Sequence, residues 1–341
     1  MFPTINTPLT KRLNIITPIL SAPMPFASTP EMVSAVTAAG GFGCLGSAFE
    51  SVAVMKEKIQ SIRTHLKITP GTPVPIAVGF LGWILDKTEV SDEPRLLAIL
   101  DELPVAVWFS FGDDLGKYIA NVRAHDRGTE RHTFIFVVIS SVESARRFSL
   151  AGADALVVQG IEAGGHGAAD APPLFSLLQA VLHDVQPGPI ILAAGGISTG
   201  AQIAALLTMG VDGVVLGTRF LFTPECEYSP AQKDVLVKAG LAATVRTMAF
   251  DEVARRNGWP ANCDGRAISN AIMDDYNAGL SLDERVEKFD ESTRNGDNSR
   301  LVIWAGVGAG LTSEIKGAAD VLRELHNETI VNLRRSATLL E

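Results

Sequence analysis

The chain has 341 residues, of which 47% are hydrophobic, 6% aromatic and 20% charged. This length predicts one large domain of the barrel type or two domains of ordinary size, and the composition excludes a disordered or fibrous chain. The net charge is −9 and there is no cluster of Lys and Arg, which argues against nucleic-acid binding because phosphate neutralisation requires a basic stripe. An anionic ligand must therefore be held locally, by backbone amides or by single side chains.

Cysteine usage and hydropathy indicate where the protein works. Cys44, Cys226 and Cys263 are odd in number and widely spaced, which argues against a disulfide framework and a thiolate metal site and favours a reducing compartment. The longest apolar run, 134–139, is far too short to span a membrane. The N-terminus lacks the hydrophobic segment of a secretory signal. We expect a cytoplasmic protein without a metal site that binds neither membranes nor nucleic acid.

Short apolar runs recur along the chain between Gly and Pro residues. They are nearly continuous rather than alternating, as parallel strands buried on both faces require. They predict eight strands, at 19–22, 43–46, 74–78, 105–109, 133–139, 155–158, 190–193 and 213–216. Amphipathic stretches between them predict helices, for example at 30–39, 141–151, 174–181 and 199–209. This alternation predicts an α/β fold, a (β/α)8 TIM barrel, with a doubly wound sheet as the alternative.

The pattern changes after the eighth strand. Residues 224–300 lack strand-like runs, and the charges concentrated in 282–300 are typical of a solvated helix face. Apolar, Gly-rich sequence returns at 301–311, and an amphipathic helix follows at 313–326. We therefore predict a barrel made of 1–223 and 301–341 that brackets a smaller, mostly helical insertion or cap domain, 224–300.

The most informative segment for chemistry follows the sixth predicted strand. That strand brings Gln159 to its C-terminal end, where barrel enzymes hold their active sites. A Gly-rich loop with Gly164 and Gly165 then presents His166, a candidate general base or polar partner for a substrate. The alternative is an ordinary turn with an exposed histidine.

Two glycine-containing turns follow the seventh and eighth predicted strands. Barrels bind phosphate at this place, through backbone N–H groups and a helix N-terminus. The predicted cradle consists of Gly195, Gly196, Gly217 and Thr218, and the phosphate would belong to a cofactor. Tight turns that need glycine for their own conformation are the alternative for each pair.

The first predicted strand ends in Ala22, Pro23 and Met24. This apolar, stiff segment could support a planar ring, although a strand that simply stops at a proline has the same pattern. Aromatic side chains predict a pocket wall suited to a small, partly apolar substrate, at Trp83, Phe109, Phe111 and Trp304.

Together, Ala-Pro-Met at 22–24, Glu-Ala-Gly-Gly-His at 162–166, Ala-Ala-Gly-Gly-Ile at 193–197 and Val-Leu-Gly-Thr-Arg-Phe at 215–220 resemble the nitronate monooxygenase family, formerly called 2-nitropropane dioxygenases. The likeness covers nearly the whole chain and is weakest in the insertion. It implies a (β/α)8 barrel that holds FMN without a covalent bond. It also implies FMN-dependent oxidation of alkyl nitronates, such as propionate 3-nitronate, by O2 to a carbonyl compound and nitrite, without a metal.

The resemblance also implies roles for the candidate residues. His166 matches the active-site histidine that faces the substrate beside the flavin. Residues 22–24 match the segment that contacts the flavin ring, Gln159 a polar contact to it, and 164–165 the loop beside it. The family's phosphate site corresponds to Gly195, Gly196, Gly217 and Thr218 of this chain. The chain departs from the family pattern twice: Gly79 replaces an Asn that contacts the flavin in many relatives, and Val307 replaces a Gln.

Two other functions stay open at this point. An FMN reductase of the same barrel type would oxidise NAD(P)H and reduce a quinone, or would act as an enoyl-acyl-carrier-protein reductase. A barrel that binds a phosphorylated small molecule without redox chemistry is the second alternative. The sequence does not determine the oligomeric state, and a homodimer stays open.

Overall fold

The computed structural model describes residues 3–129 and 131–340. The strands, in chain order, are β1 (Ile19–Ser21), β2 (Gly43–Gly46), β3 (Val74–Leu81), β4 (Pro104–Ser110), β5 (Phe134–Ile139), β6 (Ala155–Gln159), β7 (Gly165–Ala168), β8 (Ile190–Ala194), β9 (Gly213–Leu216), β10 (Thr244–Thr247) and β11 (Cys263–Ile268). The helices are α1 (Pro8–Leu13), α2 (Pro30–Ala38), α3 (Val52–His65), α4 (Gly82–Thr88), α5 (Leu96–Leu100), α6 (Gly116–Asp126), α7 (Val142–Leu150), α8 (Leu174–Val185), α9 (Gly200–Met209), α10 (Thr218–Leu221), α11 (Pro230–Val237), α12 (Ala249–Val253), α13 (Ala271–Asn277), α14 (Leu282–Asn295) and α15 (Ala318–Ala337). Short 3-10 turns occur at Asn298–Arg300, Val307–Leu311 and Thr338–Leu340.

Eight parallel strands form the predicted barrel. Their order is β1-β9-β8-β6-β5-β4-β3-β2, and a bridge between Leu20 and Phe42 brings the two edge strands together. Each of the eight strands predicted from the sequence lies within one residue of an observed strand at its start. The (β/α)8 barrel is therefore confirmed, and the doubly wound sheet is excluded.

Side chains fill the interior of the barrel. Strand residues alternate between this interior and the layer under the helices, so that large rings such as Trp108 and Phe136 point inward. Leu9 and Leu13 of α1 join the interior cluster from below, and Leu9 reaches Gly213 at the start of β9. The lower end of the barrel is thus plugged, and the C-terminal ends of the strands form the accessible end.

The last helix completes the ring around the barrel. α15 packs against α9 and α2, in the position that a helix directly after β9 would otherwise occupy. The lack of a side chain at Gly200 allows this approach, since a Cβ there would lie 2.6 Å from the amide nitrogen of Thr329. The predicted return of the chain to the barrel is observed, although the helix runs over Ala318–Ala337 instead of 313–326.

The segment between β9 and this return contains more than helices. α11 to α14 account for most of its regular structure, but β10 and β11 are also present, and the expectation of no strands in 224–300 was wrong. β11 pairs antiparallel with β10 on one side and with β7 on the other. We propose 224–300 as the insertion and 1–223 with 301–341 as the barrel; residues 1, 2, 130 and 341 lie outside the described part.

The described residues include no helix with the length and apolar character needed to cross a membrane.

Candidate active site

A cleft opens at the C-terminal end of the barrel, below the insertion. It encloses about 1340 Å³, including the part that is open to solvent. Most residues predicted for the site line it: Ala22, Pro23, Met24, Gln159, Gly164, Gly165, His166, Gly195, Gly196, Gly217 and Thr218. Segments that are distant in sequence therefore meet in one place, as barrel architecture requires.

Gly79 has a different position from the other candidates. It lies behind Pro23 and is not part of the lining of the cleft. A Cβ at Gly79 would lie 2.5 Å from the Cβ of Pro23, so the missing side chain lets the proline pack directly on β3. A direct contact between Gly79 and a cofactor stays a prediction; in this structure the residue supports the segment above it.

The segment 22–24 forms a fixed apolar platform. The amide of Ala22 donates to the carbonyl of Leu216, which continues the pairing of β1 with β9. Ser28 accepts from the amide of Met24 at 2.8 Å and donates to its carbonyl at 3.0 Å. The platform is therefore held by its backbone, and its apolar atoms face the cleft.

Glycines after β8 and β9 expose backbone amides to the cleft. Gly195 and Gly196 have φ values of +116° and +69°, which side chains rarely tolerate. Within the described residues, the amides of Gly196 and Gly217 donate to no protein acceptor. Exposed N–H groups beside the start of α10 suit an anion, so the residues present fit the phosphate of a nucleotide cofactor.

Thr218 connects this cradle with the segment that follows the insertion. Its Oγ1 accepts from the amide of Gly306 at 2.9 Å, which leaves its hydroxyl proton available to another acceptor. Gly164 contacts the same segment closely, since a Cβ there would lie 2.2 Å from the nitrogen of Gly306. The Gly-rich loop, the cradle and the segment at 305–306 thus hold one another in place.

His166 lies on β7 and pairs with a buried carboxylate. Its Nε2 is 3.1 and 3.0 Å from the two oxygens of Asp251, which is fully buried in α12. Trp259 donates from Nε1 to Asp251 at 3.2 Å. The indole of Trp259 also stacks on the imidazole, with ring centroids 3.5 Å apart and planes inclined by 9°. The imidazole is therefore held in position by residues of the insertion.

This arrangement determines which ring nitrogen can act on a substrate. When the Nε2–H group of the neutral ring donates a hydrogen bond to Asp251, the other nitrogen, Nδ1, carries the lone pair. The nearby carboxylate also balances the charge of the ring when both nitrogens are protonated. Gln159 donates from its amide to the carbonyl of His166 at 3.3 Å and thereby holds the backbone of this strand. His166 can serve as a base or, when protonated, as a hydrogen-bond donor.

The predicted aromatic wall is only partly observed. Phe111 and Trp304 line the cleft, and Trp83 lies behind Trp259 with a ring-centroid distance of 5.3 Å. Phe109 was wrong as a wall residue, because it is fully buried in the layer under the helices. Strand alternation in β4 brings its neighbour Trp108 to the cleft instead.

Several cleft residues from the insertion were missed in the sequence: Tyr228, Asp251, Arg256 and Trp259. Tyr228 donates to the carbonyl of Trp304 at 3.1 Å, and burial raises the pKa of this phenol, so it stays protonated. The tryptophans were the available sequence signal for this part of the site. The chain has only four, of which three line the cleft and the fourth, Trp83, packs against one of them.

Comparison with known proteins agrees with this site. The family model described as nitronate monooxygenase matches residues 6–328. A nitronate monooxygenase from Neurospora crassa is 31% identical, over 98% of this chain and 92% of that protein. Among solved structures, FabK from Thermotoga maritima superposes with a TM-score of 0.78 at 27% identity, covering 98% of this chain and 100% of that one. A nitroalkane oxidase from Streptomyces ansochromogenes gives 0.75 at 26% identity, covering 96% and 99%. The chain belongs to the nitronate monooxygenase family of oxidoreductases, and nitronate oxidation is its general activity.

Proposed function

We propose that the protein binds FMN without a covalent bond and oxidises alkyl nitronates, such as propionate 3-nitronate, with O2 to a carbonyl compound and nitrite. One observation carries this proposal. A single cleft combines the amide cradle at Gly196 and Gly217, the apolar platform at 22–24 and the His166–Asp251 pair. The cradle suits a phosphate, the platform suits a flat ring, and the histidine with its acid suits an oxidisable anion.

The residues that would hold the cofactor follow from their chemistry. The amides of Gly196 and Gly217, with the hydroxyl of Thr218, suit the phosphate. The platform at 22–24 suits an apolar ring face, and Gln159 offers a polar group beside it. Bound FMN supplies the transfer of electrons between the nitronate and O2.

His166 would orient the substrate. In its protonated form it can donate from Nδ1 to a nitro oxygen, while Asp251 balances the charge. In its neutral form the same nitrogen can remove the α-proton of a nitroalkane. Trp259 and Trp304 shield the imidazole, at 3.5 and 4.6 Å between centroids, and exclude water around it.

A spectrum recorded without oxygen tests the proposal. Purified protein with bound FMN is mixed with propionate 3-nitronate, and NADH is added to a parallel cuvette. We expect the nitronate to reduce the flavin, NADH to leave it oxidised, and nitrite to appear once O2 is admitted. Reduction by NADH alone would assign the protein to the reductase class, and a colourless protein that does not bind added FMN would refute the cofactor.

His166→Asn tests the role of the imidazole. We expect FMN to stay bound and nitronate turnover to fall by about two orders of magnitude, as loss of a positioned acid–base group usually causes. Unchanged turnover with FMN bound would remove His166 from the reaction.

A further inference from the structure

A second cavity adjoins the mouth of the cleft, between the loop at 25–26 and the insertion. It encloses about 1110 Å³, again including the part open to solvent. The two spaces share a common set of residues: Pro25, Phe26, Tyr228, Arg256 and Trp304. A substrate whose reacting end lies near His166 would extend its other end toward this shared boundary.

Arg256 is the one charged residue among those that line both spaces; the exposed Glu227, whose carboxylate also forms no ion pair with the described residues, lines only the second cavity. Asp251 is engaged by His166 and Trp259, and Arg300 is paired with Asp275 at 2.9 Å. Within the described residues, the guanidinium of Arg256 forms no ion pair and no hydrogen bond to protein, and it lies 4.4 Å from the ring centroid of Phe26. In a protein with a net charge of −9, this exposed cation is available to an anionic ligand.

The backbone fixes the position of this cation relative to the reacting end. The amide of Arg256 donates to the carbonyl of Asp251 at 2.9 Å, so the acid that pairs with His166 and the cation of Arg256 belong to the same turn. The turn depends on Arg255, whose φ of +55° is unusual for a residue with a side chain. The side chain of Arg255 itself leaves the cleft and pairs with Asp290.

The rim under the guanidinium is built from aromatic rings. Phe26 is exposed and has a φ of +63°, and its ring stacks on the exposed Phe49 with centroids 5.9 Å apart. His166 and Arg256 thus line the same cleft with apolar rings beside them, and Arg256 is the one Lys or Arg in the described lining. Such a lining suits a carbon chain with a negative group at each end.

We propose that Arg256 binds a carboxylate at the far end of the substrate, so that the enzyme favours nitronates with a second negative charge over nitronates with a plain alkyl chain. This inference rests on the proposed function, because it assigns the substrate class of the same cleft. Arg256 acts here as a specificity-determining residue. The nitronate end stays with His166.

The test compares two nitronates in three proteins. Propionate 3-nitronate carries the second charge, and butyl-1-nitronate is of similar length without it. Arg256→Met should reduce kcat/KM for propionate 3-nitronate about tenfold, mainly through KM, because a hydrogen-bonded ion pair is lost. The same substitution should leave kcat/KM for butyl-1-nitronate unchanged. Arg127→Met, a matched loss of an exposed arginine just after α6 and outside both cavities, should change neither value.

Binding of an unreactive mimic provides a second readout. Succinate has two carboxylates at the spacing of the charges in propionate 3-nitronate, and butyrate has one. In calorimetry on the FMN-loaded protein, Arg256→Met should weaken the binding of succinate about tenfold and leave the affinity for butyrate unchanged. Equal effects on both ligands, or no effect on succinate, would overturn the inference. If the wild type oxidises neither nitronate, the proposed function fails, whereas the succinate titration still decides the role of Arg256.

Discussion

The carboxylate of Asp251 meets Nε2 of His166 through both oxygens, at 3.1 and 3.0 Å, although the residues are 85 positions apart. The acid belongs to the insertion, and the histidine follows a strand of the barrel. A buried carboxylate is unfavourable unless hydrogen bonds and charge balance it, so this acid needs both the imidazole and the Trp259 N–H. The pair therefore orients the ring and also satisfies the carboxylate.

Asp251→Asn tests whether this orientation matters. The amide keeps the size of the side chain but removes the charge that balances a protonated imidazole. We expect turnover of propionate 3-nitronate to fall about 10- to 100-fold, the usual range when the partner of a functional histidine is lost. Asp283→Asn, at an exposed acid of the insertion, is the control; wild-type turnover in both variants would show that Asp251 only supports the fold.

Gly217→Ala tests the phosphate cradle with little effect on packing. A Cβ at Gly217 would meet the sulfur of Met24 at 3.5 Å and the Cβ of Ala22 at 3.6 Å, both ordinary contacts. The methyl group would nevertheless occupy the space beside the exposed amide, so we expect FMN affinity to fall about tenfold, the equivalent of one charge-assisted hydrogen bond. The measurement is the FMN dissociation constant from fluorescence.

Gly128→Ala is the matched control, because a Cβ there has no atom within 4 Å. It should bind FMN like the wild type. If Gly217→Ala also retained full affinity, the cradle would have to be sought elsewhere in the cleft.

His326 links the stability of the barrel to pH. Burial lowers the pKa of this histidine in α15 below its ordinary value of 6.5, against an opposing hydrogen bond with the backbone of Pro3. The unfolded chain therefore takes up the proton first as pH falls. The free energy of unfolding should be fully retained above the ordinary pKa and should decrease as pH drops through it and toward the lower folded-state pKa.

Urea unfolding at several pH values between 5 and 8 measures this effect. His326→Gln should flatten the dependence of the midpoint on pH, whereas His65→Gln, at the end of α3, should preserve it. The prediction is wrong if the wild type and His326→Gln show the same slope in this range.

The barrel could be predicted because its strands have a strong local signal. A parallel strand covered on both faces has to be apolar along its whole length, and Phe134–Ile139 or Ile190–Ala194 is recognisable without knowing any neighbour. The cradle was predictable for a similar reason, since Gly195 and Gly196 need positive φ in the turn that follows a strand.

The sheet of the insertion could not be predicted in this way. β10 and β11 carry Arg246, Asp264 and Arg266. The pairing of Arg246 with Asp264 and the hydrogen bonds from Arg266 to the carbonyl of Ile161 make those charges compatible with a sheet. β7 consists of small residues around one histidine and gains its structure from β11. Asp251 had no local signal, because its role depends on the folded position of α12.

β7 makes His166 part of two structures. The strand continues the loop of a barrel strand and is also the edge of the insertion's sheet, where His166 lies opposite Gly265. The insertion therefore cannot be exchanged between relatives as a self-contained cassette. A replacement would have to bring its own partner strand for Gly165–Ala168 and its own acid for the imidazole.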